Sequence, residues 1–229
     1  MLEEFKKQAA EKAVEEIESG MIVGLGSGST VYYAIHKLAQ EIRTGALLNI
    51  KAIASSRQTE KLANKLDIPL ITFHDSQNID ITIDGADEVD KYLNLIKGGG
   101  AAHLREKILV QASNKFIVVV DETKLSTKLG EKWAVPIEVV KFAYPIIETF
   151  IESINGEPEL RTFDSGSPVV TDEGNYIVDA NFGVIRNPFE LAEKLESRAG
   201  IVEHGLFLRL ASKVIVAGKD GIKELVKNS

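Results

Sequence analysis

Three short apolar segments of this chain each run straight into a polar, turn-forming sequence. Met21 to Leu25 leads into Gly24-Leu25-Gly26-Ser27-Gly28-Ser29-Thr30, Ile79 to Ile83 into Asp84-Gly85-Ala86-Asp87-Glu88, and Phe116 to Val120 into Asp121-Glu122-Thr123-Lys124. Segments with helical spacing lie among them. Leu2, Phe5, Ala9, Ala13 and Ile17 mark one, which Ser19-Gly20 ends; Val31, Ile35, Leu38, Ala39 and Ile42 mark another; Thr59 to Leu66 and Ala101 to Ala112 follow. Ile50 to Ala54 and Leu70-Ile71 read as further strands. Strands alternating with helices at this pitch predict an α/β fold, with a Rossmann-like, mostly parallel sheet and helices on both faces.

The pattern changes after about Gly130. Trp133 to Val140 reads as a strand, Tyr144 to Ile154 as a helix, Arg161 to Gly174 as a polar stretch, Tyr176 to Asp179 as a strand and Pro188 to Ser197 as a helix. This predicts a smaller α+β domain. Lys213 to Ala217 then returns to the fully apolar strand type, and Lys219 to Val226 reads as a closing helix. The expected division is 1–129 with 206–229 for the sheet domain and 130–205 for the smaller one.

In an open parallel sheet, ligands bind beyond the C-terminal ends of the strands, so the three polar strand ends are expected to face one crevice. The first resembles a dinucleotide fingerprint but has Ser29 where the final glycine is required, which disfavours a nicotinamide-dependent dehydrogenase. A strand, glycine loop and helix with hydroxyls suits one phosphate. Asp84, Asp87 and Glu88 place three carboxylates in five residues, more than a plain Asp-Gly turn needs. Lys97-Gly98-Gly99-Gly100 then brings a cation and a glycine run to the start of a helix, where N–H groups and the positive dipole end converge. The combination suggests acid–base chemistry on a small anionic molecule. Pattern alone does not choose Glu106, in Arg105-Glu106-Lys107, over Glu88 as a base.

The net charge of −7 excludes a broad nucleic-acid surface and requires a local electropositive pocket for an anion. The absence of cysteine excludes disulfides, thiolate metal sites and cysteine nucleophiles. His36, His74, His103 and His204 lack metal-ligand spacing, so no metal is expected. No segment has the length and apolarity of a membrane span, and Met1 to Lys7 lacks a signal-peptide core. A cytoplasmic location without a membrane partner is the expectation.

Taken in order, these motifs resemble the ribose-5-phosphate isomerase A family. So do Ala134-Val135-Pro136-Ile137-Glu138-Val139, the run from Pro168 to Asn175 and Glu203-His204-Gly205-Leu206-Phe207, so that the likeness covers nearly the whole chain. The resemblance implies a cofactor-free aldose–ketose isomerase. Its reaction interconverts ribose 5-phosphate and ribulose 5-phosphate through an enediolate, in the non-oxidative pentose phosphate pathway. It assigns Glu106 as the general base, Lys97 to the reacting oxygens, and Asp84 and Asp87 to ring opening and hydroxyl proton transfer. Ser27, Gly28, Ser29, Thr30, Gly85, Ala86, Gly98, Gly99, Gly100 and Lys124 match substrate-contacting positions. A homodimer or homotetramer, with a sugar phosphate as the small-molecule partner, is implied as well. The chain departs from the family pattern at Ser27, where threonine is usual, at His103, and at Arg198-Ala199-Gly200, which lacks a proline.

Overall fold

The computed structural model describes residues 1–226. In chain order the elements are α1 (Leu2–Val14), β1 (Ile22–Leu25), α2 (Ser29–Thr44), β2 (Lys51–Ala54), α3 (Arg57–Lys65), β3 (Ile79–Asp84), β4 (Glu88–Val89), β5 (Leu95–Ile96), α4 (His103–Gln111) and β6 (Ser113–Asp121). They continue with β7 (Val135–Val139), α5 (Tyr144–Ser153), β8 (Glu157–Leu160), β9 (Tyr176–Asn181), α6 (Pro188–Glu196), β10 (Ile201–His204), β11 (Leu206–Phe207), β12 (Lys213–Gly218) and β13 (Gly221–Val226). The chain divides into two compact units: Met1–Ala86, Arg105–Lys124 and Leu210–Ser229 form one, and Asp87–Leu104 with Leu125–Arg209 form the other.

The first unit holds a six-stranded sheet in the order β13-β12-β6-β3-β1-β2. All neighbours are parallel except β13, which runs antiparallel to β12. Successive residues on a strand face opposite sides, and both sides are covered. Val23 and Ala52 join a core with Ala9 and Ala13 of α1 and Val31, Ile35 and Leu38 of α2. Their neighbours Ile22 and Ile53 join Leu109 of α4 and Ala112 on the other face. Helix α3 begins where the Ser56 hydroxyl accepts the N–H of Thr59 at 3.1 Å, an N-cap.

Two readings of this unit are corrected. The segment from Lys219 is not a closing helix: from Gly221 onward it is β13, an edge strand paired residue by residue with β12. Ile222, Leu225 and Val226 have helical spacing, but Lys219-Asp220 forms a hairpin turn between the paired Gly218 and Gly221, the latter at φ +91°. An edge strand with nothing over it also shows no alternation of burial. Leu70-Ile71 is no separate strand either; Leu70 makes one isolated parallel bridge to Ala52 at the margin of β2.

The second unit holds a four-stranded antiparallel sheet, β10-β7-β9-β8, and a three-stranded sheet, β11-β5-β4. Ile137, Val139, Val178 and Ala180 of the larger sheet pack with Ile147 and Ile151 of α5 and Leu191 and Leu195 of α6. The segment from Asp87 to Leu104 belongs to this unit, whereas the expected division put it with the parallel sheet. The reason is pairing: β5 joins β11, and the Lys97 N–H donates to the Gly205 carbonyl at 2.8 Å. The four two-residue and edge strands β4, β5, β11 and β8 have no apolar run long enough to announce them.

Candidate active site

In the first unit β6, β3 and β1 are adjacent and parallel, so their three polar ends emerge at the same edge of one sheet. At that edge Asp84 is fully buried at the end of β3. Its Oδ1 accepts the N–H of Ser27 at 3.1 Å and its own neighbour Gly85 at 2.7 Å. The glycine loop after β1 lies directly on this carboxylate. A Cβ at Gly26 would stand 2.1 Å from Asp84 Cγ, so only glycine lets the two strand ends approach this closely.

The loop itself is divided in its roles. The Ser27 hydroxyl turns into a cluster with Ser55 Oγ (2.7 Å), Ser56 Oγ (3.0 Å) and Thr59 Oγ1 (3.3 Å), and Thr59 Oγ1 donates to the Gly26 carbonyl at 2.8 Å. Gly28 and Ser29 are exposed and Thr30 half-buried at the start of α2. A cavity of about 440 Å³ opens here, lined by Gly26, Gly28, Ser29, Tyr32, Gln58 and Thr59 among others. Ser55, Ser56 and Thr59, which hold this loop, are not among the residues expected at the site. The signal was present, since Ile50 to Ala54 runs straight into Ser55-Ser56, a fourth polar strand end.

At the end of β6, Asp121 is buried and accepts the Thr123 N–H at 3.0 Å, and Glu122 accepts the Lys219 N–H at 3.2 Å. These carboxylates hold backbone. Lys124, half-buried, closes the short 3-10 turn that follows. Glu106 sits in the first turn of α4 and is 4% exposed, at the helix end that favours an anion.

The second unit carries Asp87 and the Lys97 to Gly100 segment. Lys97 is 3% exposed, with its ammonium 5.4 Å from the centre of the Phe207 ring. Gly98 has φ +112°, and a Cβ there would fall 2.8 Å from Nδ1 of the buried His103, so His103 packs under the glycine turn. The Gly99 N–H donates to Asp87 Oδ2 at 2.8 Å, which joins two motifs twelve residues apart. Gly100 is exposed with open space beside it. Arg161, absent from the expected site, donates through Nη1 to the carbonyls of Gly98 (2.7 Å) and Gly99 (3.1 Å).

Glu88, the other carboxylate considered beside Glu106, is occupied by backbone. Its carboxylate is fully buried and accepts three backbone N–H groups, from Gly130 (3.0 Å), Glu131 (3.1 Å) and Lys132 (3.2 Å). It ties down a turn. Among the described residues no group of three or more His, Asp or Glu side chains is arranged to hold a metal ion.

A parallel sheet whose strand ends carry a glycine loop and a buried aspartate, joined in sequence to a buried lysine, a glycine turn and a buried glutamate, defines an enzyme acting on a small anion. The comparisons name the family. The chain matches ribose 5-phosphate isomerase A (phosphoriboisomerase A) over residues 51–221. It is 52% identical to the ribose-5-phosphate isomerase A of Desulfatibacillum aliphaticivorans, covering 96% of each chain, and 44% identical to that of Roseiflexus castenholzii, covering 96% and 94%. The structure of ribose 5-phosphate isomerase A from Methanocaldococcus jannaschii superposes with a TM-score of 0.94 at 40% identity, covering 99% of this chain and 100% of that one. A D-ribose-5-phosphate isomerase in complex with phospho-erythronic acid superposes with a TM-score of 0.96 at 41% identity over 99% of both chains. The chain belongs to the ribose 5-phosphate isomerase A family.

Proposed function

We propose that this protein interconverts D-ribose 5-phosphate and D-ribulose 5-phosphate, the isomerisation of the non-oxidative pentose phosphate pathway. The observation that carries the reading is that Lys97 and Glu106, of residue types almost never fully buried unless paired, are 3% and 4% exposed on the segments that carry the family motifs.

In this mechanism Asp84 and Asp87 assist opening of the furanose ring. Glu106 takes the proton from C2 of the open-chain aldose, the electrons form the C1–C2 double bond, and an enediolate results. The O2 hydroxyl proton moves to O1, and Glu106 returns its proton to C1, leaving the ketone at C2. Lys97 and the Gly100 N–H of the glycine turn balance the negative charge that develops on the reacting oxygens. The loop from Ser27 to Thr30, with Lys124, takes the phosphate; Gly85 and Ala86 line the sugar. Within that loop Ser27 acts as an anchor, since its hydroxyl is held by Ser55, Ser56 and Thr59 and its N–H by Asp84. No cofactor enters any step.

The protein works in the cytoplasm as a homodimer or homotetramer. Phe142, Phe163 and Ile146 of the second unit are 94%, 58% and 54% exposed, which supports self-association; no described helix is long and apolar enough to cross a membrane. The test is incubation of the purified protein with ribose 5-phosphate in chelator and without nucleotide, with the ketose measured over time. Formation of ribulose 5-phosphate is expected; no ketose under these conditions overturns the reading.

A further inference from the structure

Arg161 lies just beyond β8, its side chain only 16% exposed, and makes two kinds of contact within the second unit. Nε and Nη2 grip Asp179 of β9 in a fork, at 2.8 Å to Oδ2 and 2.5 Å to Oδ1. Such a bidentate pair fixes the plane of the guanidinium as well as its place. The remaining Nη1 donates to the carbonyl oxygens of Gly98 and Gly99 at 2.7 and 3.1 Å.

Those two carbonyls belong to the peptide units whose N–H groups are those of Gly99 and Gly100. In a planar trans peptide the C=O and N–H point in opposite directions. Turning both carbonyls toward Arg161 therefore turns both N–H groups the other way. Gly99 shows this directly, because its N–H reaches the Asp87 carboxylate at 2.8 Å. Gly100 is exposed, with open space where a Cβ would stand. A glycine run has no side chains to set its own peptide planes, so an outside clamp is needed. A cation on a carbonyl oxygen also draws electron density from the amide and strengthens its N–H as a donor.

We propose that Arg161, held by Asp179, is a positioning residue that sets the glycine turn: it holds the Gly99 N–H on the Asp87 carboxylate and orients and polarises the Gly100 N–H toward the oxyanion of the reaction. This rests on the isomerase reading above. Arg161 touches no reacting atom; it acts through the glycine turn, and its contribution grows as negative charge develops on the enediolate.

The experiment compares Arg161→Met, Arg161→Lys and Asp179→Asn with the wild-type protein by steady-state kinetics and by hydrogen exchange of the Gly99 and Gly100 amides. Arg161→Met is expected to lower kcat roughly 10- to 100-fold with KM moved less than about threefold, the pattern of a lost outer support for transition-state charge. Millimolar guanidinium ion should recover part of that kcat. Arg161→Lys keeps the charge but not the fork and should recover little, and Asp179→Asn should fall between. Exchange at Gly99 and Gly100 should quicken in Arg161→Met. A raised KM with kcat intact, or unchanged exchange at both glycines, overturns the proposal. If Arg161→Met does not fold, the kcat and exchange of Asp179→Asn decide in the same way. Wild-type protein that makes no ketose defeats the isomerase reading instead, and the exchange comparison then still decides whether Arg161 sets the glycine turn.

Discussion

Gly26 lies against the carboxylate of Asp84, and a methyl group at position 26 would stand 2.1 Å from Asp84 Cγ. The contact links the end of β1 to the end of β3. Because Asp84 is fully buried, it has no open space into which to retreat. Gly26→Ala is therefore expected to displace Asp84 and break its contact with the Ser27 N–H. Overpacking of this kind costs about 1–3 kcal/mol. Thermal unfolding and isomerase assays on the same sample read both effects; a variant with wild-type stability and turnover shows the contact to be dispensable.

Glu106 and Glu88 are both buried carboxylates, and exchanging each for glutamine separates their roles. Glu106→Gln removes the proposed proton acceptor and keeps the shape. Turnover should fall by a factor on the order of 10² to 10⁴ with folding intact. Glu88→Gln instead weakens charge-assisted contacts to three backbone N–H groups. It should lower stability by roughly 1.5–3 kcal/mol. Denaturant unfolding beside kinetics checks this; near-normal turnover in Glu106→Gln rejects it as the base.

The two lysines should divide between binding and turnover. Lys124→Ala is expected to weaken ribose 5-phosphate binding by about one to two decades while leaving unphosphorylated ribose little affected. Lys97→Ala should chiefly lower kcat, because its partner charge appears in the transition state. Side-by-side kinetics decide. A KM effect from Lys97 and a kcat effect from Lys124 would mean that the sugar lies in the reverse direction.

Glu138 is expected to give stability a pH dependence. It is 1% exposed in the middle of β7, and burial pushes its carboxyl above the ordinary range, against the hydrogen bonds from Asn175 (2.8 Å) and Thr171 (2.9 Å); Glu173 and Glu203 add to the rise. A raised folded-state pKa means that the native form holds the proton more tightly. Glu138's favourable contribution is complete below its unfolded value and is lost as pH rises through its folded value. Glu138→Gln should therefore gain on the wild type as pH rises from mildly acidic to neutral. Melting temperatures of both proteins across that range test the sign; a difference that shrinks with rising pH contradicts it.

The parallel sheet was readable because its strands are continuous apolar runs, such as Phe116 to Val120, and buried strands need no alternation. β13 was misread because an edge strand lacks a buried face to impose a period of two. β4, β5 and β11 were invisible because two-residue strands exist only through one another. For the same reason the segment carrying Lys97 was assigned to the wrong unit.

Residue type and local order determine where the candidate residues stand. Asp84, Lys97 and the glycine runs stand at strand ends and helix starts, and those places follow from short-range pattern. Other assignments depended on partners distant in sequence. Glu88 binds a turn more than forty residues on. The Ser27 hydroxyl is taken by a cluster around residues 55 to 59. Arg161 reaches back 63 residues to Gly98. A side chain's chemistry is written in its identity, but which hydrogen bonds occupy it depends on what folding brings within about 3 Å, and only the tertiary structure decides that.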